Sequence, residues 1–233
     1  MKKLSLLALV FVAVVAVGNS IAVADTSALA GKIIALDAGH GSSSTDTGAV
    51  NLLYGVAEAD VNGDVVQALE AALSTYGAHV VVAGRFSTRK ERVGDAAAKC
   101  AAVDVTGDGI ADNKKCDVLV SVHHNGSTAP THDGTLTIYT QNSDKPLAKA
   151  LYDSLLPLTN KPEGLLNGGY GMTVYKNLVS TITEAYYITN DAEAEQYVNN
   201  KEVQIGKEVD AQVLGIANYF TALALGGGKG GRR

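Results

Sequence analysis

The sequence predicts a single-domain α/β protein with a mostly parallel, mixed, twisted sheet flanked by helices. Three observations carry this. Short apolar strand patterns alternate with amphipathic helical patterns, the arrangement of strands joined by helical crossovers. No internal repeat and no interdomain linker interrupts residues 25–225, a span of single-domain length. Trp is absent and Phe occurs three times, so Val, Ile, Leu, Ala and Tyr must build the core, and they suffice for a chain of this size.

The chain opens "MKKLSLLALVFVAVVAVGNSIAVADTS". Two lysines, a continuous apolar run and the small residues Ala22-Val23-Ala24 predict an export signal over 1–24, cleaved after Ala24. The alternative is a retained N-terminal anchor, because the apolar run is not far short of a bilayer span. With the signal removed, no stable membrane span is expected. The mature protein then belongs in the periplasm, the cell wall or the extracellular space. The formal net charge of −5 becomes more negative once Lys2 and Lys3 leave, which argues against a nucleic-acid partner.

"KIIAL" (32–36) reads as the first strand, leading into the glycine-flanked turn "DAGHG". Val61, Val65, Leu69, Leu73 and Tyr76 recur at helical spacing, so a helix is expected over 58–76, with Gly77 as its C-terminal cap. "HVVVA" follows as a strand, and a second helix is expected over 89–103. "DVLVSVHH" and "GTLTIYT" are the next strands, and Pro146 suits the first turn of a helix reaching about Leu156. "LLNGGYGMTVYKNL" mixes loop with a short strand, and "VSTITEAYYITN" contains a further strand. The last helix is expected over 202–225, with Val209, Val213, Ile216, Phe220 and Leu223 on one stripe. The tail at 226–233 is glycine with a few cations and is expected to be disordered.

Cys100 and Cys116 are the only cysteines. In an exported protein such a pair predicts a disulfide, with two reduced buried thiols as the alternative. Between them, "DVTGDGIAD" sets Asp104, Thr106, Asp108 and Asp112 at the oxygen-ligand spacing of a short calcium loop, with Gly109 at its turn. Lys115 stands where such a loop needs its bidentate glutamate. Weak Ca2+ binding and a solvated acidic turn are both open.

Polar residues gather at the ends of these elements, where open α/β sheets place their sites. His40 lies in a Gly-His-Gly turn, Glu58 opens a helix, His123 ends a strand and Glu184 lies in or at the end of another. Two histidines and one carboxylate form a recognised catalytic zinc set, leaving a fourth position for water. A further, unliganded carboxylate completes a hydrolytic site as general base and then acid. His123 and His124 are consecutive in a strand, so their side chains point to opposite faces.

"ALDAGHGSSSTDTGA", Glu58 ahead of an amphipathic helix, "DVLVSVHHN", "STITEAYYITN" and "EAEQYV" occur in this order. Together they resemble the zinc-dependent N-acetylmuramoyl-L-alanine amidases of the Amidase_3 family, over about residues 32–220. The resemblance implies a phosphorylase/hydrolase-like α/β fold and Zn2+ held by His40, Glu58 and His123. It makes Glu184 the catalytic glutamate and His124 a bystander that points elsewhere. The implied reaction is cleavage of the amide between the lactyl group of N-acetylmuramic acid and L-alanine in peptidoglycan. The chain departs from the pattern at His124, where a small residue is usual, and after Glu184, where Ala185-Tyr186-Tyr187 replace the usual Gly-Phe. A zinc peptidase acting on another amide and a non-catalytic wall-binding module are the other readings.

Among the remaining polar residues, Asn125 is read as a substrate or supporting hydrogen-bond partner, or else as a strand-end turn residue. Arg85, Arg89 and Arg92 are read as a solvated or salt-bridged edge, one of which meets a peptide carboxylate if it reaches the site. His79 and His132 are read as structural or loop histidines, and the protein is expected to be a monomer.

Overall fold

A computed structural model describes residues 25–227. The expected export signal and the end of the glycine-rich tail lie outside these residues. The strands are β1 (Ile33–Ala38), β2 (Val50–Asn51), β3 (Val56–Ala57), β4 (His79–Val82), β5 (Val118–Asn125), β6 (Thr135–Tyr139), β7 (Pro162–Asn167) and β8 (Ser180–Tyr187). The helices are α1 (Glu58–Thr75), α2 (Arg89–Ala101), α3 (Lys145–Leu155), α4 (Gly171–Val174), α5 (Asp191–Asn199) and α6 (Lys201–Gly227).

Six strands form one sheet in the order β4-β1-β5-β8-β6-β7. β4, β1, β5 and β8 are parallel, β6 runs antiparallel to β8, and β7 is parallel to β6. β1 is buried along its whole length, as expected of a strand covered on both faces. On one face, Ile34, Leu36, Val118, Val120 and Val122 pack against Val61, Val65 and Leu69 of α1, Leu147 and Leu151 of α3, and Val213 and Ile216 of α6. On the other, Ile33, Ala35, Leu119 and Ile182 pack against Val93 and Ala96 of α2 and Met172 of α4. The protein is therefore a three-layer α/β/α sandwich, the mixed and mostly parallel sheet that the strand–helix alternation predicts. Among the described residues, no helix is long and apolar enough to cross a membrane.

Several local expectations are corrected. The antiparallel pair β2–β3 and helix α5 form where neither was expected, and β7 begins at Pro162, earlier than the apolar run in "LLNGG" indicated. Both short strands and the proline-headed strand lack the long alternating pattern that identifies strands in sequence. Tyr76 and Leu223, assigned to apolar stripes, are 40% and 51% exposed, because each lies at a helix end beyond the layer that it would cover. α6 continues through Gly226 and Gly227, two residues past the expected start of the tail.

α2 is capped by Thr88, whose side chain accepts from the Glu91 N–H while Glu91 reaches back to the Thr88 N–H, a reciprocal capping box. At its other end Cys100 and Cys116 are joined in a disulfide, closing the acidic loop against the sheet. Replacing both cysteines with alanine is expected to lower stability by about 3 kcal/mol, from the chain entropy released by a loop of this length. Chemical denaturation of the two proteins checks it.

Candidate active site

β1 ends at Ala38, and the chain then turns sharply through Gly39-His40-Gly41. The Gly39 N–H continues the sheet by donating to the Val122 carbonyl at 2.9 Å. His40 adopts φ +61°, a left-handed backbone unusual for a residue with a side chain. The turn is held from below by Arg92. Its Nη1 donates to the Ala38 carbonyl at 2.7 Å and to Asp37 Oδ1 at 3.0 Å, its Nη2 donates to the His40 carbonyl, and its Nε donates to the Phe86 carbonyl at 2.8 Å. Asp37 is itself buried and accepts from Ser121 Oγ at 2.6 Å. Arg92 is thus salt-bridged but is no edge residue, being only 5% exposed. Its helix packs directly under the strand end that carries His40, a placement that no local pattern reveals.

The His40 imidazole is oriented by Asp46, whose Oδ1 lies 2.9 Å from Nδ1. Asp46 was not singled out in the sequence. Its signal was only an aspartate six residues after His40 in a Ser/Thr-rich loop. Hydrogen bonds from Ser42 and His40 hold its carboxyl well below the usual carboxylate range. A carboxylate on one ring nitrogen fixes the tautomer and leaves the other as a ligand atom. That other atom, Nε2, lies 3.4 Å from Glu58 Oε2.

Glu58 is the first residue of α1, buried to within 5%, at the end of a helix where the dipole favours a carboxylate. Its Oε2 accepts from the Ala49 N–H at 2.8 Å, and Oε1 lies 2.9 Å from His123 Nδ1. Burial pushes its carboxyl up, but the hydrogen bond and charge of His123, the Ala49 amide and His40 outweigh this and hold it at about 2. His123 sits near the end of β5, its ring 5.1 Å from that of His40. One ligand atom each from His40, Glu58 and His123 lies within 4.8 Å of the others. Among the described residues this is the one group of histidine, cysteine or acidic side chains so gathered.

Glycines make the space. A Cβ at Gly39 would lie 2.3–2.5 Å from three atoms of the His123 ring, and one at Gly48 would lie 2.4 Å from Glu58 Oε2. Gly39→Ala is accordingly expected to displace His123 and weaken metal binding at least tenfold, in the range seen when ligand-orienting contacts are lost. Metal titration of the folded variant checks it, with far-ultraviolet circular dichroism to confirm the fold.

Glu184 lies opposite His123 across the β5–β8 ladder and outside the gathered ligand group. Its Oε2 is enclosed without a hydrogen-bond partner among the described residues. Burial pushes its carboxyl up, His123 pulls it down, and the carboxylates of Glu58 and Glu163 push it further, to about 7. An enclosed carboxyl beside a ligand group has the chemistry to accept and return a proton. His40, His123 and Asp46, with Ser87, Arg89 and Met172, line a cleft of about 130 Å³.

Other singled-out residues sit elsewhere. His124 points into the opposite layer and is completely buried, as strand alternation requires. Asn125 Oδ1 accepts from the Gly126 N–H at 2.8 Å. His132 pairs with Glu163 at 3.0 Å and packs edge-on against Tyr187. In the acidic loop, Asp104 accepts from the N–H groups of Gly107, Asp108 and Gly109 and from Thr106 Oγ1, while Asp112 accepts from the N–H groups of Val105 and Thr106. Asp108 accepts from the Ile110 N–H. These carboxylates are committed to the loop's own backbone and do not converge, so the geometry gives the calcium expectation no support.

A hydrolase-type α/β domain with a His-Glu-His group is thus the class that fold and site define. The Amidase_3 family profile, described as N-acetylmuramoyl-L-alanine amidase, matches residues 34–216. The chain belongs to this family of peptidoglycan amidases. No curated protein matches it significantly. Among solved structures it is similar to the catalytic domain of CwlV, an N-acetylmuramoyl-L-alanine amidase from Bacillus (Paenibacillus) polymyxa var. colistinus. That match has 24% identity, a TM-score of 0.67 and coverage of 82% of this chain and 98% of that one. It is also similar to the amidase AmiC2 of Nostoc punctiforme, at 21% identity and a TM-score of 0.66, again covering 82% and 98%. At these identities the two structures support the fold.

Proposed function

We propose that this is a zinc-dependent amidase in which His40, Glu58 and His123 hold the metal and Glu184 is the proton carrier. The observation that carries the reading is the gathering of the three ligand atoms within 4.8 Å, with an unpartnered carboxylate on the neighbouring strand. Two nitrogens and one carboxylate oxygen suit Zn2+ with an open fourth position. His40 would bind through Nε2 and His123 through Nδ1, since those atoms face Glu58. Bound zinc supplies Lewis-acid polarisation of the scissile carbonyl and acidifies a water.

The chain's own residues supply the rest. Glu58 is held ionised and brings one negative charge to the site. Asp46 keeps the His40 proton on Nδ1, so that Nε2 is free. Glu184 takes the proton of the attacking water and returns one to the departing L-alanine nitrogen, which must leave protonated. Arg89, at the cleft and without an acidic partner among the described ion pairs, is placed to meet a carboxylate of the stem peptide. The disulfide supports an exported protein, as does a peptidoglycan substrate.

The test is zinc content and digestion on one preparation. Zinc near one per chain, with new L-alanine amino termini released from peptidoglycan, is the expected result. Zinc without alanine release would redirect the substrate toward another amide, and no zinc after reloading would overturn the site.

A further inference from the structure

We infer that Glu208, on the terminal helix α6, is a positioning residue for the metal centre, acting through His124 and Asn62. The inference rests on the zinc-site reading and adds to it residues from outside the cleft. His124, Glu208 and Asn62 are all at 0% exposure, in the layer where β5 packs on α1 and α6. His124 Nε2 lies 2.9 Å from Glu208 Oε2, and His124 Nδ1 lies 2.7 Å from Asn62 Oδ1. The second Glu208 oxygen accepts from Gln212 Nε2 at 3.0 Å. Tyr186 packs over the imidazole with its ring centre 4.4 Å away.

The orientation of Asn62 follows from its neighbours. Its Nδ2 donates to the Gly39 carbonyl at 3.0 Å and toward Glu58 Oε1 at 3.4 Å. Both are acceptors, so Nδ2 must face them and Oδ1 must face His124. His124 Nδ1 therefore carries a hydrogen and donates it, and the ring is pinned at both nitrogens. The His124 main-chain N–H donates to Glu58 Oε1 at 3.3 Å.

This cluster touches every segment that carries a ligand. Asn62 holds the turn of His40 through Gly39, the helix of Glu58 directly, and the strand of His123 through His124. His123 and His124 point to opposite faces, so fixing the ring of His124 in the core fixes the roll of the strand end and the aim of His123. Glu208 anchors the cluster from a helix that supplies no ligand. An apolar pair of similar volume would serve packing at least as well as this fully buried polar pair.

The test compares zinc affinity, by competition with a chromophoric chelator, in the wild type, Glu208→Gln, Glu208→Leu and the double variant His124→Leu/Glu208→Leu. Glu208→Gln keeps an acceptor for the His124 N–H and is expected to bind close to wild type. The double variant removes the stranded partner within the pair but leaves Asn62 Oδ1 and Gln212 Nε2 without theirs, so its unfolding midpoint is expected to fall while the protein stays folded by circular dichroism, and zinc binding weakens about 10–100-fold. A folded double variant with wild-type zinc affinity would overturn the inference. Hydrogen exchange at the residue 124 amide in metal-free protein gives a second readout, with protection expected to be lost in the double variant. A wild type that binds no zinc would sink the reading of the site, and unchanged exchange protection would independently sink the positioning role.

Discussion

Glu184→Gln is expected to lower peptidoglycan hydrolysis about 10²–10⁴-fold, the usual contribution of a positioned general acid–base group, while zinc content stays at the wild-type level. Glutamine keeps the size of the side chain and can neither accept the water's proton nor return it. The residue lies beside His123 but outside the gathered group, so the proposed zinc site does not include it. Loss of zinc along with activity would make Glu184 a ligand, and full activity would remove it from the reaction.

The same substitution has a stability signature in metal-free protein. Burial raises the Glu184 carboxyl from 4.5 to about 7, so the folded state favours its neutral form. The resulting stability is present in full below pH 4.5 and is lost as pH rises through about 7. Glu184→Gln has no such titration. The two proteins are expected to have similar urea midpoints at pH 4.5, with the variant more stable at pH 8 by up to roughly 3 kcal/mol. Parallel pH profiles for the two proteins would contradict this origin of the shift.

Arg92→Met is expected to be the most damaging single change away from the ligands, costing about 3–5 kcal/mol, the range for breaking a buried ion pair by removing one partner. Asp37 would remain buried with only Ser121 as its side-chain partner. The carbonyls of Ala38, His40 and Phe86 would lose a charged donor. A midpoint lowered by roughly 10 °C is expected in thermal melts. Adding Asp37→Leu removes the stranded charge and is expected to restore much of the loss. The double variant should still bind zinc less well than wild type, because the His40 turn has lost its support. A single variant as stable as wild type would show that water or another cation replaces the guanidinium.

The difference between Arg92 and His40 shows what was legible in the residues. His40 announces itself by flanking glycines after an apolar run, and His123 by ending a strand. Glu58 precedes a helical stripe. These are local signals, because a strand end and a helix start are written in neighbouring residues. Arg92 is written as one of several charges in an amphipathic helix, and only the packing of α2 beneath β1 turns it into the support of the site. Asp46 looked like any polar loop residue until the turn brought it 2.9 Å from His40. The acidic loop carried a metal-like spacing, yet its carboxylates turn inward to backbone amides, since spacing fixes which oxygens are near but not where they point.

By itself the sequence determined the α/β layering of the fold, the opposite faces taken by neighbouring residues in its apolar strands and the types of ligand available, because hydrophobic period and strand alternation are properties of consecutive residues. Tertiary structure decided the rest. It brought residues from β1, α1 and β5 within 4.8 Å and buried Glu184 enough to move its carboxyl to about 7. It also set His124 and Glu208 together across 84 positions. Each of these depends on distances through space and on exclusion of water, and those arise only when separate elements pack.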